Sequence, residues 1–237
     1  MRILVVNDDG IKAPGIHRLA KMAAGLGEVW VAAPDAQCSA MSQRITVRGD
    51  LEVKPYDFPV VGVTAYSVGG TPADCVKVAL GCLMEEKPDV VFSGINAGYN
   101  VGRDILYSGT IGAAMEALCG GVPAIAFSVA EEDECEVLDA YLESVAKELI
   151  AKKLPENEIW NVNFPGCTLA EYKGILWNRI PDQNQYYRDN YKRTDRPDGG
   201  IIFSAAGLPE TEAADGTDAG AVLSNYISVG TIKNMMI

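Results

Sequence analysis

Histidine is almost absent from this chain of 237 residues, which contains only His17. Ser-His-Asp and Cys-His hydrolysis and histidine-rich zinc sites all place a histidine beside a second reactive group. His17 falls on the first predicted helix, where a structural or surface role is the simpler interpretation. We therefore do not expect histidine-based catalysis or a zinc site.

Paired cysteines are also missing, since none of the six cysteines belongs to a C-x-x-C motif. Their scattered positions in apolar or helical contexts lack the spacing of a disulfide framework or a zinc site. The six residues are Cys38, Cys75, Cys82, Cys119, Cys135 and Cys167. We expect reduced thiols and a cytoplasmic protein.

Long apolar runs and a basic surplus are absent too. No stretch approaches the roughly 18 uninterrupted apolar residues of a membrane span, and the N-terminal apolar run is too short for a signal peptide. The 20 Lys and Arg residues against 32 Asp and Glu give a formal charge of −12, which argues against binding nucleic acid polymers. We expect no membrane or nucleic acid partner. A small phosphorylated substrate stays compatible if a metal or a ring of donors neutralises it.

Residues 1–10 combine a short apolar segment, Arg2–Val6, with an acidic turn that contains Asp8 and Asp9. Adjacent carboxylates repel each other, so they need open water, a basic partner or a cation. No Lys or Arg lies between Arg2 and Lys12, and a hard divalent ion suits oxygen ligands. An acidic turn that caps the next helix is the alternative, and this stretch alone leaves both open.

Alternating strand and helix patterns predict an α/β fold with a mostly parallel sheet. Strands are predicted at residues 2–6, 28–33, 88–93, 123–128, 158–164 and 174–180, and helices at 14–25, 72–84, 111–118 and 137–151. Short strands at 45–47, 51–54 and 60–68 suggest an antiparallel excursion at the sheet edge. We assign residues 1–180 to a catalytic core and residues 181–237 to a C-terminal extension that packs on the core or on another subunit.

Four polar residues follow predicted strands and are candidates for a metal site. They are Asp8 and Asp9 after the first strand, Ser39 after the second, and Asn96 after the strand at 88–93. The carboxyl ends of parallel strands share one crevice, and two carboxylates, a hydroxyl and an amide suit Mg²⁺ or Mn²⁺ better than zinc. We interpret Asp8, Asp9 and Asn96 as catalytic, with one of the two carboxylates as a proton acceptor.

A glycine-rich loop and a helix start are candidates for phosphate binding. Residues 94–102 contain three glycines, and Gly94 and Asn100 belong to this loop. Ser108, Gly109 and Thr110 begin a helix, where free amides and the helix dipole attract anions. Ordinary N-capping by Ser108 or Thr110 is the alternative. With a metal, these parts suffice for phosphoryl hydrolysis by an activated water.

Along nearly its whole length the sequence resembles the SurE survival-protein phosphatases, a family of metal-dependent nucleotidases that act on nucleoside monophosphates. The motifs that carry the resemblance are Asn7-Asp8-Asp9-Gly10, Pro34-Asp35 with Ser39, Gly70-Thr71-Pro72-Ala73-Asp74, Ser93-Gly94-Ile95-Asn96, Tyr107-Ser108-Gly109-Thr110, Asn161-Val162-Asn163 and Gly216-Thr217-Asp218.

The resemblance implies a Rossmann-like three-layer fold and one divalent metal ion, Mg²⁺ or Mn²⁺, per subunit on Asp8, Asp9, Ser39 and Asn96. It also implies homodimers or homotetramers that form partly by exchange of C-terminal elements. The chain departs from the family pattern at Ala40 and Gln43, where Gly and His or Asn are usual. It also has Arg103-Asp104 where two acidic residues are usual.

The resulting hypothesis is a phosphoric monoester hydrolase, specifically a 5'-nucleotidase. A phospho-receiver signalling domain that binds Mg²⁺ without turnover is the alternative. Such a domain needs an acceptor Asp at the end of a central strand and a later Lys. Here the central strand ends in Ser93 and Asn96 instead of an acceptor Asp, and Val129 instead of a Lys follows the strand at 123–128.

Overall fold

The computed structural model describes residues 1–131 and 136–236 and has an α/β architecture. Within these residues, nine strands form one sheet. They are β1 (Arg2–Val6), β2 (Glu28–Pro34), β3 (Val53–Pro55), β4 (Thr64–Val68), β5 (Val90–Ala97), β6 (Ala124–Val129), β7 (Glu158–Phe164), β8 (Gly174–Arg179) and β13 (Tyr226–Lys233). Their order across the sheet is β3-β4-β2-β1-β5-β6-β7-β13-β8. All neighbouring pairs are parallel except β3-β4 and β7-β13. The predicted fold class is confirmed.

Helices cover both faces of the sheet and make three layers. One apolar cluster lies under α1 (Pro14–Ala24) and α4 (Glu136–Ala151), and the other under α2 (Pro72–Val78) and α3 (Gly109–Cys119). Alternate residues of the central strands point to opposite clusters, as in β1, where Ile3 and Val5 join the first and Leu4 and Val6 the second. A π-helical turn, Ala79–Leu83, extends α2, and a 3-10 helix, Gly102–Leu106, precedes α3.

The prediction of a strand at residues 45–47 is wrong. Thr46 donates its N–H and its hydroxyl hydrogen to the carboxylate of Asp74, at 2.8 and 2.7 Å. Asp74 also closes a capping box with Thr71 at the start of α2. Side-chain bonds therefore hold this segment in place of strand pairing.

The loop after β5 also differs from the prediction, because β5 continues to Ala97. Gly94 and Asn96 thus belong to the strand, and the loop begins at Gly98.

The last part of the chain contributes to the central sheet as well as to small separate units. Its final strand, β13, lies between β7 and β8. The separate units are two antiparallel pairs, β10 (Tyr191–Asp195) with β11 (Ile201–Ala205) and β9 (Tyr187–Arg188) with β12 (Leu208–Pro209). A short helix, α5 (Asp218–Leu223), precedes β13. The proposed boundary at residue 180 therefore cuts across one sheet, and subunit packing by residues 181–237 stays a prediction.

His17 has a structural environment, with Nε2 3.1 Å from the carbonyl oxygen of Ile11 and its ring against the edge of Phe58. Cys38, Cys75, Cys82, Cys119 and Cys167 are free thiols, and Cys135 lies outside the described residues. Among residues 1–131 and 136–236, no helix has the length and apolarity needed to cross a membrane.

Candidate functional site

A cleft of about 620 Å³ opens at the carboxyl ends of β1, β2 and β5. All four predicted metal ligands line this cleft, together with two of the predicted phosphate-binding residues. The six residues are Asp8, Asp9, Ser39, Asn96, Asn100 and Ser108. Residues far apart in the sequence meet here because parallel strands end at the same edge of the sheet.

Asp8 follows β1 and is only 4% exposed. The hydroxyl of Thr110 donates a hydrogen bond to its Oδ1 at 2.5 Å. The start of α3 packs closely on this carboxylate, since a Cβ at Gly109 would lie 2.8 Å from the Cβ of Asp8. Burial, together with the neighbouring charge of Asp9, raises the pKa of Asp8 to about 6, although the Thr110 hydroxyl opposes this shift. A buried carboxylate of this kind gains from a cation beside it.

Asp9 is half-buried and accepts a hydrogen bond from the backbone N–H of Ala97 at 3.3 Å. Burial raises its pKa, while the bonds from Ala97 and from the side chain of Gln37 lower it. Gln37, which the sequence alone did not indicate, also lines the cleft. Its place two residues before Ser39, in the same loop, was the available signal.

Ser39 and Asn96 supply the neutral oxygen atoms. Ser39 is exposed, and its loop is fixed to the turn after β1 by the N–H of Cys38, which donates to the carbonyl oxygen of Asp8 at 2.7 Å. The side-chain Nδ2 of Asn96 donates to the carbonyl oxygen of Gly98 at 2.8 Å. This bond orients the amide so that its Oδ1 is the atom available to a cation.

The donor set fits a hard divalent cation. Among the described residues that line the cleft there is no Lys or Arg, whereas five are acidic: Asp8, Asp9, Asp104, Glu131 and Asp189. Nowhere in residues 1–131 and 136–236 do three His, Cys, Asp or Glu side chains converge on a possible metal position. A cation here therefore needs the hydroxyl and amide oxygens as well, which favours Mg²⁺ or Mn²⁺ over zinc.

The remaining predicted phosphate-binding residues lie behind the cleft wall. Gly94 is buried in β5, where a Cβ would lie 2.2 Å from the carbonyl oxygen of Phe127, so close strand packing already requires a glycine. Gly109 and Thr110 contact Asp8 at the start of α3. Ser108 caps α3, because its Oγ accepts from the N–H of Ile111 at 3.1 Å, and it also lines the cleft, where it is open to a phosphate.

The C-terminal part of the chain, which was expected to pack on the core or on another subunit, forms the far wall of the cleft. Gln185, Tyr187 and Asp189 line it. Asp104 holds this wall in place, since its Oδ2 accepts from the N–H groups of Tyr186 and Tyr187 at 2.9 and 2.8 Å. The available signal was the unusual run of polar and aromatic residues at 184–193.

Gln43, one of the departures from the family pattern, does not line the cleft. Its Nε2 donates to the carboxylate of Glu116 on α3 at 2.8 Å. Arg103 is exposed and donates its backbone N–H to the carbonyl oxygen of Asn184 at 3.0 Å. Ala40 lines the cleft with a left-handed backbone, at φ 57°.

Comparison with known proteins gives concordant results. The family model described as survival protein SurE matches residues 3–187. A 5'-nucleotidase SurE 1 from Thermus thermophilus is 41% identical over 98% of this chain and 92% of its own length. A 5'-nucleotidase SurE from Flavobacterium psychrophilum is 37% identical over 98% and 91% of the two chains.

A solved structure agrees with these matches. The crystal structure of a SurE protein from Aquifex aeolicus superposes with a TM-score of 0.83 at 36% identity, covering 98% of this chain and 93% of that one. Fold, sequence and cleft thus lead to the same assignment, and the chain belongs to the SurE family.

Proposed function

We propose that this protein is a metal-dependent phosphatase that hydrolyses nucleoside monophosphates to nucleoside and phosphate, as a 5'-nucleotidase. The observation that carries the proposal is a cleft that gathers carboxylate, hydroxyl and amide oxygens around a buried Asp8. The names of the relatives, 5'-nucleotidases, support the same reaction. No observation favours the signalling alternative, so we do not propose it.

In this proposal Asp8, Asp9, Ser39 and Asn96 hold one Mg²⁺ or Mn²⁺ ion. When bound, such an ion neutralises phosphate charge and makes a water molecule more acidic. One of the two adjacent carboxylates, Asp8 or Asp9, accepts a proton, because burial raises the pKa of both. The charge of the five cleft carboxylates would otherwise repel a phosphate dianion, so the cation is essential for substrate binding.

The start of α3 and the residues before it bind the phosphate group in our proposal. Ser108, which lines the cleft, offers its hydroxyl at the positive end of the helix dipole, while Gly109 and Thr110 pack behind it on Asp8. Asn100 also lines the cleft. Tyr107 and Tyr187 line it too, and an aromatic ring there can stack on a nucleobase.

We further propose that the protein is a cytoplasmic homodimer or homotetramer. Exposed apolar side chains on the β10–β11 hairpin support self-association, because such a patch is typical of an interaction surface. They are Tyr191, Ile201, Ile202 and Phe203.

The test is a phosphate-release assay on nucleoside monophosphates with Mg²⁺, Mn²⁺ or a chelator, with glycerol phosphate as a non-nucleoside monoester. We expect release from nucleotides with either metal, none with chelator, and recovery when metal is restored. Full activity in chelator would contradict the metal site. Equal turnover of glycerol phosphate would contradict the nucleotide preference but leave the phosphatase activity intact.

A further inference from the structure

Two buried asparagines in β7 have no part in the function proposed so far. Asn161 is 4% exposed and Asn163 is fully buried, in a strand whose other buried residues are Ile159, Trp160, Val162 and Phe164. A buried amide costs free energy unless its donors and acceptors are paired. A polar pair at alternate positions of an apolar strand therefore needs a partner on that face of the sheet.

The partner is Asn100. Its backbone N–H donates to Oδ1 of Asn163 at 2.8 Å, and its carbonyl oxygen accepts from Nδ2 of Asn161 and Nδ2 of Asn163 at 2.9 and 3.1 Å. Its own Nδ2 donates to Oγ of Ser128 in β6 at 2.8 Å. Both backbone groups and the side chain of a loop residue are thus bound to the sheet.

Asn163 bonds to Asn100 as a neighbouring strand would. Its amide presents one acceptor to the N–H and one donor to the C=O of the same residue, which is the pattern of a peptide group in a β-ladder. An aspartate would lose the donor and a leucine would lose both. The side chain therefore fixes the orientation of the Asn100 peptide groups, as well as filling space.

The contact with the asparagines bears on the cleft because of where Asn100 lies. The residue lies between Asn96 and Ser108, and all three line the cleft. Further bonds anchor the loop at its ends, from the N–H of Gly98 to the carbonyl of Val129 at 2.8 Å and from the N–H of Gly102 to Asp218. Between these anchors, the backbone N–H and C=O of Asn100 are held by the side chains of Asn161 and Asn163.

We propose that Asn161 and Asn163 are positioning residues for phosphate hydrolysis, because they fix the Asn100 backbone and hence the spacing between the Asn96 oxygen and the Ser108 hydroxyl. The proposal rests on the proposed function. Neither asparagine lines the cleft, so neither touches substrate or metal. A displacement of about 1 Å in a group that binds the reacting phosphate can lower the rate on the order of a hundredfold.

The test compares Asn163→Ala with Ser228→Ala in the full-length protein. Ser228 faces Asn163 across the β7–β13 pair, is 1% exposed, and has a hydroxyl without a hydrogen-bond partner. Both variants remove a buried polar group from the same region, but only the first releases Asn100. We expect kcat to fall about 10- to 100-fold in Asn163→Ala and to stay within about twofold in Ser228→Ala.

Two further readouts separate positioning from general destabilisation. Mn²⁺ affinity in Asn163→Ala should stay within about threefold of wild type, because Asp8, Asp9 and Ser39 lie on other elements and the Asn96 amide is held by its own bond to the Gly98 carbonyl, so that Ser108 is displaced relative to an intact metal site. Hydrogen exchange at the Asn100 amide should become faster, with Ser228→Ala unchanged. A merely structural role would lower the melting temperature while kcat per folded molecule and this exchange rate stay normal, and that result would overturn the proposal.

Two other outcomes are also decisive. Loss of Mn²⁺ affinity in parallel with kcat would overturn the proposal, because the asparagines would then act on the metal site. If Asn163→Ala does not fold, Asn161→Ala replaces it, and about a two- to tenfold fall in kcat is expected from its one lost hydrogen bond to the Asn100 carbonyl; an unchanged kcat would overturn the proposal. Absence of phosphate release by the wild-type protein would refute the proposed function. The exchange rate of the Asn100 amide would still test whether Asn161 and Asn163 fix the Asn100 backbone.

Discussion

Asp8 and Asp218 are both almost fully buried, with exposed fractions of 4% and 3%, and burial raises the pKa of each to about 6. Their surroundings differ. Asp218 accepts hydrogen bonds from the backbone N–H groups of Gly102, Asp182 and Ala219. Asp8 accepts the hydroxyl hydrogen of Thr110 and opens onto the cleft beside Asp9.

The difference shows how a structural carboxylate is distinguished from a candidate ligand. The bonds of Asp218 tie the 3-10 helix Gly102–Leu106 to the start of α5 and to Asp182, so its acceptor capacity is used within the protein. Asp8 keeps acceptor capacity towards the cleft, where a cation can use it. Exposure and pKa alone would not separate the two residues.

The largest effect that this comparison predicts is loss of turnover on changing Asp8. Asp8→Asn keeps the acceptor for Thr110 but removes the negative charge, so kcat/KM should fall at least about 1,000-fold, which corresponds to about 4 kcal/mol. Phosphate release and Mn²⁺ binding by calorimetry measure the effect. Near-normal metal affinity in this variant would remove Asp8 from the ligand set.

For stability, we expect the larger effect from changing Asp218 rather than Asp8. Asp218→Ala leaves three backbone N–H groups without their acceptor, and each lost partner costs about 1 kcal/mol or more, so unfolding free energy should fall by about 3 kcal/mol or more. Urea unfolding of the metal-free protein measures this loss. The control Asp189→Ala removes an exposed cleft carboxylate and should change stability by less than about 0.5 kcal/mol.

A smaller effect is expected in the pH dependence of stability. A carboxyl whose folded pKa is raised from 3.8 to about 6 favours the folded state when protonated. That contribution is complete below the unfolded pKa and is lost as pH rises through about 6. From pH 5 to pH 7, each residue should therefore lower the unfolding free energy by about 1 kcal/mol. The matched variants Asp8→Asn and Asp218→Asn should each lack this component in metal-free urea titrations.

Metal sharpens the pH experiment. Saturating Mn²⁺ should abolish the Asp8 component, because a bound cation keeps that carboxylate ionised, and should leave the Asp218 component in place. Persistence of both components with metal present would mean that Asp8 does not contact the ion.

The sequence predicts the Asp8 side of this comparison better than the Asp218 side. Asp8 and Asp9 follow β1 and Asn96 lies near the end of β5, both strands have clear apolar patterns, and the rule that parallel strands end at one edge brings the three residues together. The role of Asp218 depends on contacts with Gly102, 116 residues away, and no local pattern specifies such a contact.

Two further features depend on contacts that no local pattern specifies. The wall at Tyr187 depends on pairing of its N–H with Asp104, which is also non-local. The apolar residues Ile45 and Val47 imitate a strand, yet the bonds between Thr46 and Asp74 override that local preference.

The smallest effect concerns backbone conformation around the two centres. Gly102, which donates to Asp218, has a left-handed backbone at φ 58° and no side chain. Ala40, which lines the cleft, has nearly the same backbone at φ 57° but carries a side chain. A side chain in this region costs about 1 kcal/mol or more, so Ala40 carries a strain that Gly102 does not.

Ala40→Gly should therefore stabilise the protein slightly. Relief of the left-handed strain is worth about 1 kcal/mol, and the greater chain entropy of glycine when unfolded offsets about 0.5 kcal/mol or more of it, so a net gain of about 0.5 kcal/mol is expected in urea unfolding. The matched control is Ala97→Gly, which also changes a cleft alanine but lies in β5 with a strand conformation, and it should destabilise by about 0.5–1 kcal/mol. If both variants lose stability equally, the Ala40 conformation carries no strain, and the contrast between the two centres is confined to their hydrogen bonds.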